Sequence, residues 1–97
     1  MIVIRVLLQV QPANRQAFLD FMHESITISN EFEGCEKYHV YQDVQDENTF
    51  LLYEEWTTQA QFDIYRESDH FKHSGDVLFP MMAGKPDSVY FDAQVIQ

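Results

Sequence analysis

The chain has 97 residues, 45% of them hydrophobic, and a formal net charge of −10 at pH 7. This length predicts a single domain, residues 1–97, and the eight Phe and five Tyr exclude a disordered chain. Because the negative charge is repelled by the phosphates of nucleic acids and of anionic membranes, we expect neither as a partner.

The single cysteine, Cys35, permits no intramolecular disulfide, which is typical of a reducing compartment. Free cysteines are more often buried and inert than nucleophilic. The opening segment MIVIRVLLQVQP lacks the basic start and the small-residue cleavage site of a signal peptide. No apolar run approaches the ~20 residues that span a bilayer. The sequence therefore predicts a cytoplasmic protein.

Alternation of side chains predicts a first strand at Ile2–Val10, which Pro12 ends. One face of this strand carries Ile2, Ile4, Val6, Leu8 and Val10. A helix is predicted over Asn14–Asn30, with Asn14 as its N-cap. The apolar stripe of the helix consists of Phe18, Phe21, Met22 and Ile26.

Gly34 marks a turn, after which alternation predicts one strand at Glu36–Asp43 and another at Thr49–Thr57. The polar segment Val44–Asn48 is predicted to join them as a hairpin connection. One face of the second strand carries Tyr38, Val40 and Gln42, and the other carries Lys37, His39 and Tyr41. One face of the third strand carries Phe50, Leu52, Glu54 and Trp56.

A second helical region is predicted to begin at Thr58, because Gln61 lies three residues further on, the spacing of a capping box. Ser68 or Asp69 is predicted to cap a continuation of this region. A last strand is predicted at Ser88–Ile96.

The order β-α-β-β-α-β predicts an α+β, ferredoxin-like fold, in which an antiparallel sheet carries both helices on one face. The second face of the sheet holds apolar and aromatic residues from all four strands. Because a monomer rarely exposes an apolar face of that extent, we expect a homodimer that packs sheet against sheet.

Two features of the second half are candidates for chemistry. Trp56 could stack on a planar substrate, although an ordinary core or interface tryptophan is the simpler interpretation. His70 and His73 share a helix face, but no cysteine pair or HExxH pattern supports a metal site, and we expect none. A histidine acting as an acid or base near neutral pH is the better hypothesis. The chain has no Gly-rich phosphate loop, so no nucleotide or flavin cofactor is expected.

Several other polar side chains have two interpretations. His39, Tyr53 and Tyr65 could donate hydrogen bonds to a substrate, or pack with their polar ends at the rim of a pocket. Arg5 is a charge within an apolar strand and needs either a carboxylate or an anionic ligand. A structural ion pair is favoured for Arg5 over ligand binding. The candidate carboxylates are Glu54 and Asp92.

The motifs of the chain resemble those of a known family. Glu33–Cys35 followed by Tyr38–Tyr41 resembles that family's proline-glycine-cysteine turn and second strand. Tyr53–Trp56 (YEEW) followed by Ser68–Phe71 (SDHF) resembles its stronger signature on the third strand and second helix. The similarity follows the whole chain in order and identifies it as similar to the antibiotic biosynthesis monooxygenase (ABM) domain family.

The resemblance implies a dimeric α+β barrel. From the best-known members it also implies oxygenation of phenolic or quinol-type compounds without metal or flavin. By motif position it makes Trp56, His70 and Phe71 pocket candidates, and our first hypothesis gives Trp56 the role of a stacking wall and His70 that of an acid or base. The remaining residues of the predicted pocket are Tyr53, Tyr65, His39 and Arg5. Two positions depart from the family pattern, because Tyr65 replaces a frequent histidine and Glu33 replaces a proline.

Other functions of the family stay open. Relatives that degrade haem use a first-strand asparagine and a helix histidine where this chain has Arg5 and Gly75, which disfavours that activity. Other relatives process small phosphorylated sugars, and the cations Arg5, Lys37 and Arg66 leave room for an isomerase or lyase acting on a phosphorylated or carbonyl metabolite. The third hypothesis is a non-enzymatic, ligand-binding stress-response dimer.

Overall fold

The computed structural model describes residues 1–97 and contains four strands and three α-helices. The strands are β1 (Ile2–Gln9), β2 (Cys35–Gln42), β3 (Thr49–Trp56) and β4 (Asp87–Asp92). The helices are α1 (Arg15–Asn30), α2 (Gln59–Arg66) and α3 (Asp69–Leu78). Short 3₁₀ turns precede α1 at Pro12–Asn14 and follow α3 at Phe79–Met81. None of the helices has both the length and the hydrophobicity needed to cross a membrane.

The strands form one sheet in the order β2-β3-β1-β4, and every neighbouring pair is antiparallel. This connectivity confirms the α+β, ferredoxin-like fold. The second helical region consists of two helices, because the Ser68 hydroxyl accepts the N–H of Phe71 and begins a new helix. The Thr58 hydroxyl accepts the N–H of Gln61 in the same way. Both predicted caps are therefore confirmed.

The ends of the elements differ in detail from the sequence predictions. Asn14 occupies the N-cap position of α1 as predicted, but its side chain makes no capping hydrogen bond. The 3₁₀ turn at Pro12–Asn14 leads directly into α1 and leaves no extended residue to act as a cap. β4 ends at Asp92 rather than Ile96: its last residue lies opposite Ile2, and beyond that pair Ala93 and Met1 exchange two backbone hydrogen bonds of 2.8 Å.

The core lies between the sheet and the helices. Residues opposite one another in antiparallel strands share a face, so Glu54 of β3 points the same way as its partners Ile4 and Tyr38. The largest fully buried side chains on this side are Trp56, Tyr65, Phe18, Phe50 and Phe62. Burial of one such phenylalanine stabilises a fold by about 1.5–3 kcal/mol. This aromatic layer therefore fixes α1 and α2 against the sheet.

The opposite face of the sheet, here called the open face, carries no helix. Its central row pairs Arg5 of β1 with Tyr53 of β3, and Tyr53 with His39 of β2. Large apolar side chains on this face remain 41–46% exposed, namely Leu7, Tyr41 and Phe91. The sheet thus has one face covered by helices and one face without them, as the predicted fold requires, although both faces carry apolar residues in the sequence.

Candidate active site

A cavity of about 320 Å³ lies between the buried face of the sheet and helix α3. Twelve of its 18 lining residues are hydrophobic, and they come from all four strands, from α2 and α3 and from the segment that follows α3. Three of these twelve are tyrosines that also carry a hydroxyl, namely Tyr38, Tyr65 and Tyr90, and the other polar side chains of the lining are Glu54, Ser74, Lys85 and Ser88. A mostly apolar cavity of this size with a few converging polar groups is typical of a small-molecule site.

Glu54 is the acidic group of this cavity. It stands in the middle of β3, and the alternation that turns Leu52 and Trp56 toward the helices turns Glu54 the same way. Its side chain is 5% exposed and accepts a hydrogen bond of 2.9 Å from the indole Nε1 of Trp56. Burial raises the pKa of Glu54 to about 7, against the smaller lowering effect of the Trp56 bond. A carboxyl with this pKa can take up or release a proton near neutral pH.

The sequence motifs indicate Glu54 only as a motif member and a possible ion-pair partner. The signal that identifies it is a single acidic residue among Phe50, Leu52 and Trp56 on one strand face. A charge on an otherwise apolar, buried face marks a functional candidate, because burying it unpaired is unfavourable.

Trp56 lies behind Glu54 and does not line the cavity. Its side chain is fully buried, with ring centroids 4.7 Å from Tyr65 and 5.7 Å from Phe62. The indole N–H donates its hydrogen bond to Glu54. The geometry therefore makes Trp56 a core residue that orients Glu54, and leaves no ring face for stacking on a ligand.

Tyr65 and Tyr38 place phenolic side chains in the cavity wall. Tyr65 is 2% exposed, and its hydroxyl lies 3.0 Å from the Ser29 Oγ of α1. Burial raises the pKa of Tyr65 to about 12. Burial, followed by the neighbouring Tyr65 and Glu54, raises the pKa of Tyr38 well above its usual value. Both phenols therefore stay protonated at neutral pH and keep a hydroxyl proton to donate.

His70 and Phe71 are neighbours on α3 but face different sites. Phe71 lines the cavity, edge-on to Tyr65 with ring centroids 5.5 Å apart. His70 points toward α1, where its Nε2 lies 3.1 Å from the Ser29 Oγ and 3.4 Å from the Ser25 Oγ. Burial, followed by the nearby charge of His73, lowers the pKa of His70. His70 therefore reaches the cavity only through Ser29 and Tyr65.

A second, smaller cleft of about 130 Å³ lies between α1 and α3. Its lining includes Glu24, His70 and His73. The chain contains no group of three or more His, Cys, Asp or Glu side chains arranged to hold a metal ion. Cys35 lies apart from both sites, and burial followed by Glu54 raises the pKa of its thiol to about 11. That thiol is protonated at neutral pH and is a poor nucleophile.

Arg5, His39 and Tyr53 lie on the open face, on the opposite side of the sheet from the cavity. The structure thus separates these three pocket candidates from Tyr65 and Phe71. The predicted ion pair of Arg5 is wrong, because the only salt bridge joins Arg66 to Asp63. The candidate partners, Glu54 and Asp92, pair with even-numbered residues of β1 and so face the helices.

The fold and the mostly apolar cavity define a ferredoxin-like α+β domain with a candidate small-molecule site. The family model described as antibiotic biosynthesis monooxygenase matches residues 1–75. The chain therefore belongs to this family, which confirms the resemblance identified from its motifs.

Individual relatives agree with this assignment. The "Putative monooxygenase YcnE" of Bacillus subtilis is 32% identical over 72 residues, which cover 74% of this chain and 76% of that protein. A solved "conserved protein" of Methanosarcina mazei is 28% identical, with a TM-score of 0.87 over 97% of this chain and 95% of the other. The "Putative antibiotic biosynthesis monooxygenase" of Nitrosomonas europaea has a TM-score of 0.91 over 98% and 100% of the two chains. At 22% identity, that last likeness supports the fold alone.

Proposed function

We propose that this chain is a monooxygenase that inserts oxygen into a small reduced aromatic compound, a quinol or phenol, without metal or flavin. Membership of the family supports the reaction class. The observation that carries the proposal is Glu54, a carboxyl with a pKa of about 7 buried in a mostly apolar cavity. A base of this kind is what substrate activation by proton removal requires.

The proposed first step is removal of a hydroxyl proton from the substrate by the Glu54 carboxylate. The resulting anion is richer in electrons and is able to reduce O₂ without a cofactor. For a quinol, one molecule of substrate and one of O₂ give one hydroxyquinone and one water. O₂ accepts four electrons, all from the substrate, and its two atoms end in the product and in water.

The rest of the cavity serves this chemistry by fixing the substrate. Its mostly apolar walls favour an aromatic ring over a polar metabolite. The phenol of Tyr38, which stays protonated at neutral pH, supplies a hydrogen bond to a substrate oxygen.

We also propose that the chain forms a homodimer through the open face. Leu7, Tyr41 and Phe91 are 41–46% exposed there, and a second copy is the simplest cover for them. Arg5, His39 and Tyr53 would then belong to the interface. Leu7→Lys is expected to weaken the dimer in sedimentation equilibrium. Ile64→Lys alters an exposed side chain on α2, away from this face, and is the matched control. Equal association of the two variants would contradict this interface.

The cytoplasm remains our proposed location. The basis is chemical, because the one cysteine, Cys35, is a free thiol that needs no oxidising compartment. Apart from a second copy of the chain, the only partner that we expect is the small-molecule substrate.

Lys85 favours a second candidate function. It is the only cationic residue among those that line the cavity, and Ser88 lies in the same wall. A phosphorylated or carbonyl metabolite would use such a cation, with Glu54 as the base of an isomerase or lyase. This reaction consumes no oxygen, which separates it from the first proposal.

Oxygen consumption by the metal-free protein tests the proposed function. A panel of quinols and polyphenols is compared for wild type, Glu54→Gln and Glu55→Gln. Glu55 is the next residue of β3 and points to the open face, so its variant removes one charge from the same strand. We expect uptake above the uncatalysed rate that Glu54→Gln abolishes and Glu55→Gln preserves. Absence of uptake with every compound, or full uptake in Glu54→Gln, would contradict the proposal.

A further inference from the structure

Three side chains connect the cavity to the cleft between α1 and α3. The Tyr65 hydroxyl, in the cavity wall, lies 3.0 Å from the Ser29 Oγ. The same Ser29 Oγ lies 3.1 Å from the Nε2 of His70, which borders the cleft. Ser29 is fully buried, so water does not compete for its hydroxyl. Two consecutive hydrogen bonds therefore cross the core from one site to the other.

The direction of these hydrogen bonds follows from the state of His70. Each hydroxyl has one proton to donate. When the imidazole is neutral and Nε2 accepts, Ser29 donates to His70 and Tyr65 donates to Ser29. The Tyr65 oxygen then remains available to accept a hydrogen bond, and the Tyr38 hydroxyl of the same cavity wall lies within reach of it. Burial, followed by His73, lowers the pKa of His70 and so favours the neutral ring.

We propose that His70 is a second proton acceptor of the cavity, acting through Ser29 and Tyr65 on a phenolic ligand. The ligand hydroxyl gives its proton to Tyr65 while Tyr65 gives its own to Ser29 and Ser29 gives its own to Nε2 of His70. Three O–H bonds break, two O–H bonds and one N–H bond form, and no electron moves. Tyr65 then donates to the new phenolate, and the imidazolium borders the cleft.

This inference rests on the proposed function and gives its phenolic substrate a second proton acceptor. A quinol has two hydroxyl protons, and Glu54 is the only carboxylate among the lining residues of the cavity. A phenolic hydroxyl is the ligand group that suits the chain, because it can first donate to Tyr65 and then, as phenolate, accept from it. The groups that face His70 are Glu24 on α1, His73 on α3 and Tyr65 on α2.

Binding of 4-nitrophenol tests the relay without oxygen or turnover, because its phenolate absorbs visible light and its phenol does not. The titration uses Glu54→Gln protein, which leaves the relay as the only acceptor, and records the apparent pKa of the bound probe. Adding Ser29→Ala is expected to reduce the phenolate-to-phenol ratio about tenfold, the size of one lost charge-assisted hydrogen bond. Ser25→Ala is the matched control, because Ser25 contacts the same His70 nitrogen and not Tyr65. It is expected to leave the ratio unchanged.

Histidine ¹⁵N NMR of the unmodified chain gives a second readout that does not depend on a variant's folding. Binding of 4-nitrophenol is expected to convert the His70 Nε2 from an acceptor to a protonated nitrogen. The relay would be overturned if His70 stayed neutral beside bound phenolate or if the probe did not bind. It would also be overturned if Ser29→Ala left the phenolate-to-phenol ratio unchanged, or if Ser25→Ala lowered that ratio as much as Ser29→Ala does. Probe ionisation through Ser29 without oxygen uptake from any quinol would overturn the proposed function and leave the relay intact.

Discussion

The pH dependence of stability gives a quantitative test of Glu54. Its pKa rises from 4.5 in an open chain to about 7 in the fold. The folded state therefore binds more protons than the unfolded state between these values, so Glu54 makes the fold less stable as pH rises through this window. At about 1.4 kcal/mol per pKa unit, the full effect is about 3 kcal/mol. It is absent below about pH 4.5 and complete above about pH 7.

Glu54→Gln removes this titration and keeps the size of the side chain. The variant's free energy of unfolding, relative to wild type, is expected to rise by about 3 kcal/mol between about pH 4 and pH 9. Urea unfolding at equal protein concentration measures this difference in the free energy of unfolding at each pH. The contributions of titrating groups that both chains share cancel in the difference. Glu55→Gln, on the open face of the same strand, reports the effect of losing one charge. A Glu54→Gln difference that stays constant across this range would refute the burial argument.

Three further substitutions test other parts of the structure. Trp56→Phe removes the hydrogen bond that lowers the pKa of Glu54, so the pH profile of oxygen uptake is expected to move upward by about one unit; lost core packing alone would not move it. Gly34→Ala is expected to lower stability in urea by about 1–2 kcal/mol, because φ is +86° there and the new Cβ would meet the Gln61 side chain. Thr58→Ala is expected to lower it by about 1 kcal/mol, since α2 loses its N-cap. An unchanged urea midpoint in either case would contradict the local geometry.

The faces of the strands could be predicted from the sequence because side-chain direction in a strand follows residue parity. Phe50, Leu52, Glu54 and Trp56 share a face in the structure as the alternation predicts. Alternation within one strand does not predict which strand it pairs with or in which register. The register places Arg5 opposite Tyr53 and Ile4 opposite Glu54, which excludes the Arg5–Glu54 ion pair.

The candidate site was harder to predict because it depends on how the helices meet the sheet. Consecutive helical residues point about 100° apart, so Phe71 faces the cavity while His70 faces α1. In the sequence motif Ser68–Phe71 the two residues are adjacent, so the motif alone suggests that they belong to one site. Ser29 is a polar residue on a buried helix face, and nothing in its own segment indicates that it bridges Tyr65 and His70.

In the proposed function, an aromatic substrate is oxygenated in the cavity, and the substrate itself supplies the electrons that reduce O₂. The most direct measurement is a reaction of metal-free protein with ¹⁸O₂ and a quinol that supports oxygen uptake, followed by mass spectrometry of product and water. The account predicts one labelled oxygen in the hydroxyquinone, one in water, and loss of both in Glu54→Gln. A quinone product without label, or labelling that survives Glu54→Gln, would contradict it.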